Sequence, residues 1–263
     1  MMKNGTPLKV LRGRDLPSRM AEALRFLRQQ GASSIKLSTE DAAMSLEQIG
    51  FWIGLCEGIL PVVVKIGGPN ARNDIKQLVL AGADGLIAPM VESPYGLENF
   101  IAAVRDFTTP MQFKHLSKHI NIETETAVKQ LDRILAAPDI KWIDEITIGC
   151  SDLSGSLKLA RTDPAMVRLV KKTVRKIHSH NIGVSIGGGI TPGRIDGFLQ
   201  NIRPERFNTR VITFEVDSRE SYRPAVEEAL KFELLMLEHD RKMKYISRDE
   251  EKFRSAELKK RIG

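Results

Sequence analysis

Cysteine is nearly absent from the 263-residue chain: Cys56 and Cys150 give no disulfide framework and no zinc-type spacing. No apolar run approaches the roughly 18 to 20 residues of a membrane span, so no membrane partner is expected. The first twenty residues, MMKNGTPLKVLRGRDLPSRM, lack the apolar stretch of a secretory signal, and a cytoplasmic protein is the expectation. Aromatic residues make up only 6% of the chain and no nucleic-acid-binding motif occurs, so the net charge of +7 is not read as a nucleic-acid footprint. That charge is also local. Residues 241–263 hold nine Lys/Arg against four Asp/Glu, a pattern that suits a solvated helix or a subunit contact. The usual dinucleotide fingerprint is missing after the first candidate strand, and no low-complexity linker divides the chain.

What is present is alternation. Short β-rich runs at 8–11, 34–38, 61–66, 85–90, 119–123, 145–149, 183–187 and 210–215 are separated by longer amphipathic stretches such as 16–31, 73–82 and 163–180. Gly31, Gly82 and Gly183 stand where helix caps or the turns after them belong, and Thr162-Asp163-Pro164 is a good helix start. Eight strand–helix units in a chain of this length predict an α/β fold, a closed (β/α)8 TIM barrel over 1–220 with a C-terminal helical extension over 221–263. An open doubly wound sheet is the alternative.

In such a barrel the strand ends meet at one mouth, where active sites form. Reading those positions collects Glu40 and Asp41, Lys65, Glu92, Glu123, Asp152, Gly187–Gly188–Gly189 and Glu215. Glu123 and Asp152 fall one βα unit apart, on adjacent strands. They are either solvated strand-end acids or partners around a hard divalent cation, Mg2+ or Mn2+. Gly149, Cys150, Ser151 and Ser154 around Asp152 are small enough for backbone N–H groups to approach a ligand carboxylate. Lys65, within the apolar run PVVVKI, points into the barrel by alternation. Asp41 suits either acid–base work or capping of the next helix. Three glycines followed by a helix start near Thr191–Pro192 suggest an anion cradle, where a tight turn would need fewer. His115 and His119 precede or lie on a strand and are read as surface or strand residues, and no nucleophilic role is assigned to Cys150.

Taken in order, INIETETAVKQLDRIL (120–135) and DEITIGCSDLSGSL (144–157) resemble the paired signature of the pyruvate-dependent hydroxy-acid aldolases and citrate lyase β-subunits. GADGLIAPMVESPYGLENF (82–100) and TEDAA (39–43) are similar to further segments of that family, and the likeness runs over about 17–217. The resemblance implies that Glu123 and Asp152 bind Mg2+ (or Mn2+) and that amides near Ser151 hold a substrate carboxylate. It also implies a metal-dependent carbon–carbon lyase acting through a pyruvate-type or acyl-thioester enolate. Two positions depart from it. Lys65 stands where the family usually has arginine, and Asp41 where the aldolase branch has histidine. The first exchange replaces a planar fork by a point charge; the second removes one acid–base group. A phosphoenolpyruvate-type phosphoryl or phosphonyl transfer enzyme and a non-catalytic metabolite-binding barrel are the alternatives. The expected partner is a small keto acid or acyl-CoA, phosphorylated if the glycines cradle phosphate. The broad apolar face of 225–243 suggests a homo-oligomer, a trimer or hexamer as in the resembled family.

Overall fold

The computed structural model describes residues 15–263. The run expected as a first strand, 8–11, lies outside the described residues. The strands are β1 (Ala32–Ser38), β2 (Val62–Lys65), β3 (Gly85–Ala88), β4 (Ser117–Ile122), β5 (Glu145–Gly149), β6 (Gly183–Gly187), β7 (Arg206–Asn208) and β8 (Ile212–Glu215). Around them run α1 (Leu16–Gln29), α2 (Leu46–Cys56), α3 (Arg72–Ala81), α4 (Pro94–Asp106), α5 (Pro110–His115), α6 (Glu125–Leu135), α7 (Cys150–Leu157), α8 (Pro164–His178), α9 (Ile195–Ile202), α10 (Arg223–Lys242) and α11 (Arg248–Ile262). The eight strands close into a barrel in sequence order.

Seven of the strands run parallel. β8 is antiparallel to both β7 and β1 and closes the gap between them. Only three residues, 209–211, separate β7 from β8, and a link that short permits a hairpin but not the crossover a parallel partner needs. The sequence reading found β8 and missed β7, which has three residues and follows Arg203 (φ 58°) and a proline. The hairpin also corrects one expectation. Glu215 lies at the end of the barrel opposite the mouth, paired in register with Arg206 at the start of β7.

Strand alternation sorts the side chains. Ile35, Leu37, Val62, Val64, Leu86, Ile120, Ile122, Ile146, Ile148, Val184, Ile186, Phe207 and Phe214 are buried in the apolar core shared with the helices. Inward positions are unusually polar. Thr147 Oγ1 meets Ser185 Oγ at 2.8 Å, Asn208 Nδ2 donates to Ser185 Oγ at 3.0 Å, and Thr213 Oγ1 donates to Asn208 Oδ1 at 2.6 Å. This chain of bonds links four neighbouring strands and satisfies groups that burial would otherwise penalise.

Helix starts follow their signals. Asp15 accepts from Ser18 N at 3.0 Å ahead of Pro17, and Asp163 caps α8 ahead of Pro164. Gly82 closes α3 in the left-handed conformation. α10 packs on α1 and α11, burying Val226, Ala229, Leu230, Phe232, Leu235, Met236 and Leu237 within the same chain. Most of the apolar face read as a subunit contact is therefore covered within the chain, while Leu234 is half-buried and Met243 is 50% exposed.

Candidate active site

The mouth begins with a turn. Ser38, the last residue of β1, accepts the N–H groups of Glu40 and Asp41 through its Oγ, both at 3.1 Å. This folds the two acids back over the end of β2, where Lys65 Nζ lies 2.5 Å from Glu40 Oε2 and 3.3 Å from Asp41 Oδ1. Asp41 is not a helix cap; Ser45 caps α2 by accepting from Gln48 N. Lys65 is buried and faces inward, as alternation requires. Burial pulls its ammonium pKa down, but the Glu40 hydrogen bond and the Asp41 and Glu40 charges outweigh that and raise it. Burial likewise opposes ionisation of Asp41, yet the Ser38 hydroxyl and the Lys65, Lys36 and Arg210 charges hold its carboxyl at about 2.

Glu123 follows β4 and is 2% exposed. Its Oε1 accepts from Met90 N at 2.9 Å and its Oε2 from Asn121 Nδ2 at 3.1 Å. Met90 adopts φ 53°. Burial raises the Glu123 pKa, the Asp152 charge adds to the rise, and Met90, Lys65 and Asn121 oppose it. Asp152 sits exposed in the first turn of α7, close enough for its charge to be felt at Glu123. Beside them the buried Asn121 Oδ1 has no partner among the described residues.

Two neighbouring carboxylates and an orphaned amide oxygen are hard oxygen donors, and they fit Mg2+ or Mn2+. Among the described residues no group of three His, Cys, Asp or Glu side chains could hold a metal ion. A two-carboxylate set leaves positions for water and substrate, as Mg2+ sites usually do.

The glycines after β6 have separate reasons. Gly188 has φ 90°, and a Cβ there would lie 2.5 Å from Ser151 N. Gly189 has φ 71°, and its Cβ would meet Arg161 Cζ at 2.7 Å. Gly187 is ordinary extended strand, paired with Gly149. Arg161 donates to Ser151 Oγ at 3.0 Å and has no carboxylate partner among the described residues. Sequence reading missed Arg161, which precedes a helix cap and carries no motif. It also missed Arg210, whose Nη2 donates to the Asp41 carbonyl at 3.4 Å and whose Nε lies 3.9 Å from the buried Glu233. Lys36, an inward residue two before Ser38, was missed as well; burial and the Lys65 charge push its ammonium pKa down. A cavity of about 320 Å³ adjoins the loop, lined by Arg161, Gly188, Gly189, Arg194, Met166 and Phe198.

Other candidates separate from this group. Glu92 accepts from Thr124 Oγ1 at 2.5 Å, which steadies the cap of α6. Burial pushes the Cys150 thiol up to about 12, which leaves it unreactive. His115 ends α5 and His119 lies inward on β4, both at the opposite end from the mouth residues.

A profile described as HpcH/HpaI aldolase/citrate lyase matches residues 41–182, more than half of the chain. No curated protein gives a significant sequence match. An HpcH/HpaI aldolase/citrate lyase family protein from Burkholderia cenocepacia J2315 is similar over 72% of this chain and 83% of its own, at TM-score 0.59 and 15% identity. An HpcH/HpaI aldolase from Desulfitobacterium hafniense DCB-2 is similar over 69% and 78%, at TM-score 0.57 and 18% identity. The citrate synthase SbnG is similar over 73% and 81%, at TM-score 0.60 and 19% identity. At such identities the structural likeness speaks for the barrel alone.

Proposed function

Because this chain belongs to the HpcH/HpaI aldolase/citrate lyase family, we propose that it is a metal-dependent carbon–carbon lyase acting next to an enolate of a keto acid or acyl thioester. The observation that carries the reading is the convergence of Lys65, held by Glu40 and Asp41, with the Glu123–Asp152 pair at one end of the barrel. Glu123 and Asp152 would hold Mg2+ or Mn2+, which when bound supplies Lewis-acid polarisation of a carbonyl oxygen.

The chain's own residues do the rest. Lys65 stays an ammonium through the neutral range and, from a buried position, places positive charge where enolate oxygen develops. Asp41 stays a carboxylate of very low basicity, so it serves as an anchor that holds the Lys65 ammonium in place. The Ser151 amide, left accessible by Gly188, and Arg161, which has no carboxylate partner among the described residues, would bind the substrate carboxylate or a phosphate on it. In cleavage the substrate's β-hydroxyl gives up its proton and its carbon becomes a carbonyl as the carbon–carbon bond breaks. The electron pair of that bond stays on the other fragment as the enolate, and a proton then returns to the enolate carbon.

Exchange of the pyruvate methyl hydrogens in D2O, followed by proton NMR with and without Mg2+, tests the reading. Exchange that requires both the protein and the ion is expected. No exchange with pyruvate, oxaloacetate or an acyl-CoA would return the chain to a binding role.

A further inference from the structure

The opposite end of the barrel holds a second polar constellation, independent of the mouth. A cavity of about 560 Å³ opens there, lined by Ser117, His119, Glu145, Arg206 and Glu215, with Gln112 on its rim. Ser117 and His119 are two residues apart on β4, so they share the inward face, and Ser117 Oγ lies 2.6 Å from His119 Nε2. His119 stands in register with Glu145 on β5, and its Nδ1 is 3.8 Å from Glu145 Oε1. Glu145 is 3% exposed and accepts from Arg206 Nη1 at 2.8 Å. Burial raises its carboxyl pKa, but His119 whenever that ring is cationic, and the Ser185 and Arg206 hydrogen bonds with the Arg206 charge at all times, bring it below the ordinary value, so it is an anion. Burial lowers the His119 pKa, so the imidazole is neutral. With its proton on Nδ1 facing this anion, Nε2 offers its lone pair to the Ser117 hydroxyl. Glycine at 85 leaves room beside the serine, since a Cβ there would lie 3.0 Å from Ser117 Cβ. The Arg206 Nε is buried without a partner among the described residues, a free donor in the same wall.

A serine, a base within hydrogen-bond reach and an acid behind the base is the arrangement that activates a nucleophilic hydroxyl. We propose that Ser117 is an activated nucleophile and that this cavity is a second reactive site, taking acyl groups from small esters. Ser117 Oγ attacks the ester carbonyl while its proton passes to His119 Nε2. The C–O bond to the leaving alcohol breaks, and the alcohol departs with that proton. Water, deprotonated by His119, then attacks the acyl-serine, releasing the acid and restoring the hydroxyl. At 3.8 Å Glu145 acts on the imidazole by charge and not through a hydrogen bond. Carboxylates at Asp84, Glu145 and Glu215 outnumber the Arg206 charge in the wall, so neutral or cationic esters fit and anionic ones are repelled.

The test uses the whole chain and an uncharged alkyl fluorophosphonate, read by intact mass and peptide mapping. One adduct on Ser117 is expected, absent in Ser117→Ala. His119→Gln slows labelling about 100-fold or more, the usual contribution of a general base. Glu123→Gln leaves labelling unchanged, which separates this site from the mouth. Hydrolysis of p-nitrophenyl acetate is expected to fall in parallel, with thermal melts reporting that each variant is folded. A wild-type chain that carries no adduct on Ser117 overturns the proposal without recourse to any variant. So does a folded His119→Gln chain that labels at the wild-type rate, because Ser117 and His119 would then be only a structural hydrogen bond.

Discussion

Gly149 and Glu123 occupy one another's space: a Cβ on residue 149 would lie 2.5 Å from Glu123 Oε2 and 2.7 Å from Glu123 Cβ. The glycine at the end of β5 is there for the carboxylate at the end of β4, not for its own dihedral angles, since φ is −80°. Gly149→Ala is therefore expected to displace Glu123 and break its bonds to Met90 and Asn121. Overpacking of this kind costs about 1–3 kcal/mol. A melt will show the stability loss, and calorimetry with Mn2+ is expected to show affinity falling with it. An alanine variant that keeps both would mean that Glu123 has room the structure denies it.

Glu123→Gln with Asp152→Asn is expected to abolish Mn2+ binding and leave the fold intact. The pH behaviour of Glu123 gives a second readout. Its folded pKa is raised, so between the unfolded value and the folded one the native state holds the extra proton, and stability falls as pH rises through that window. Removing the charge relieves this, so Glu123→Gln without metal is expected to melt no lower than wild type at pH 7. A much lower melt would show that the carboxylate is a structural anchor first.

Much of the barrel was legible because alternation and caps are local. Ile146 and Ile148, Asp163 before Pro164, and Gly82 after α3 each act through neighbours in sequence. The mouth residues were legible for the same reason, as strand ends are where polar side chains interrupt apolar runs. Glu215 was misread because an antiparallel hairpin reverses which end of a strand meets the mouth, and nothing in RVITFE states its direction. Arg161 and Arg210 were invisible because their roles depend on partners, Ser151 and Asp41, that only the closed barrel brings near. The polar barrel interior was missed too. His119, Glu145 and Arg206 come from three separate strands, and no spacing rule joins them.

Acid stability depends on Asp41. Its folded pKa of about 2 lies below the ordinary 3.8, so its stabilising contribution is present above the unfolded value and is lost as pH falls through about 2. Asp41→Asn is expected to lower the melting temperature at pH 7, with the difference from wild type shrinking between about pH 4 and pH 2. Its side chain is 40% exposed, so the effect is modest. A difference that stays constant down to pH 2 would detach Asp41 from Lys65.

On the proposed reading Lys65 works by charge. An ammonium held between Glu40 and Asp41 has no free lone pair, so incubation with pyruvate and borohydride is expected to leave its mass unchanged. Lys65→Met should lower kcat/KM about 100-fold or more, the scale of one lost electrostatic stabiliser. Lys65→Arg should change substrate preference more than Mn2+ affinity, because the side chain faces the space over the strands and is not an oxygen ligand. A stable reduced adduct on Lys65 would replace electrostatics by Schiff-base chemistry.

The C-terminal helices are part of the folded unit, by the contacts they make. Leu230 and Phe232 on α10 are fully buried, and Arg261 on α11 donates to the Ile190 carbonyl at 2.9 Å, in the loop after Gly189. Truncation after residue 220 would strip α10 from α1, on which it packs. Leu230→Ala is expected to cost about 2–5 kcal/mol by cavity formation, and the truncated chain is expected to be insoluble. Because most of the apolar face of α10 is already spent inside the chain, neither change needs a subunit interface to explain it. Sedimentation of the full chain and of Leu230→Ala decides the point. If the substitution changes the mass of the particle and leaves the melting temperature alone, the helix joins copies instead of closing its own barrel.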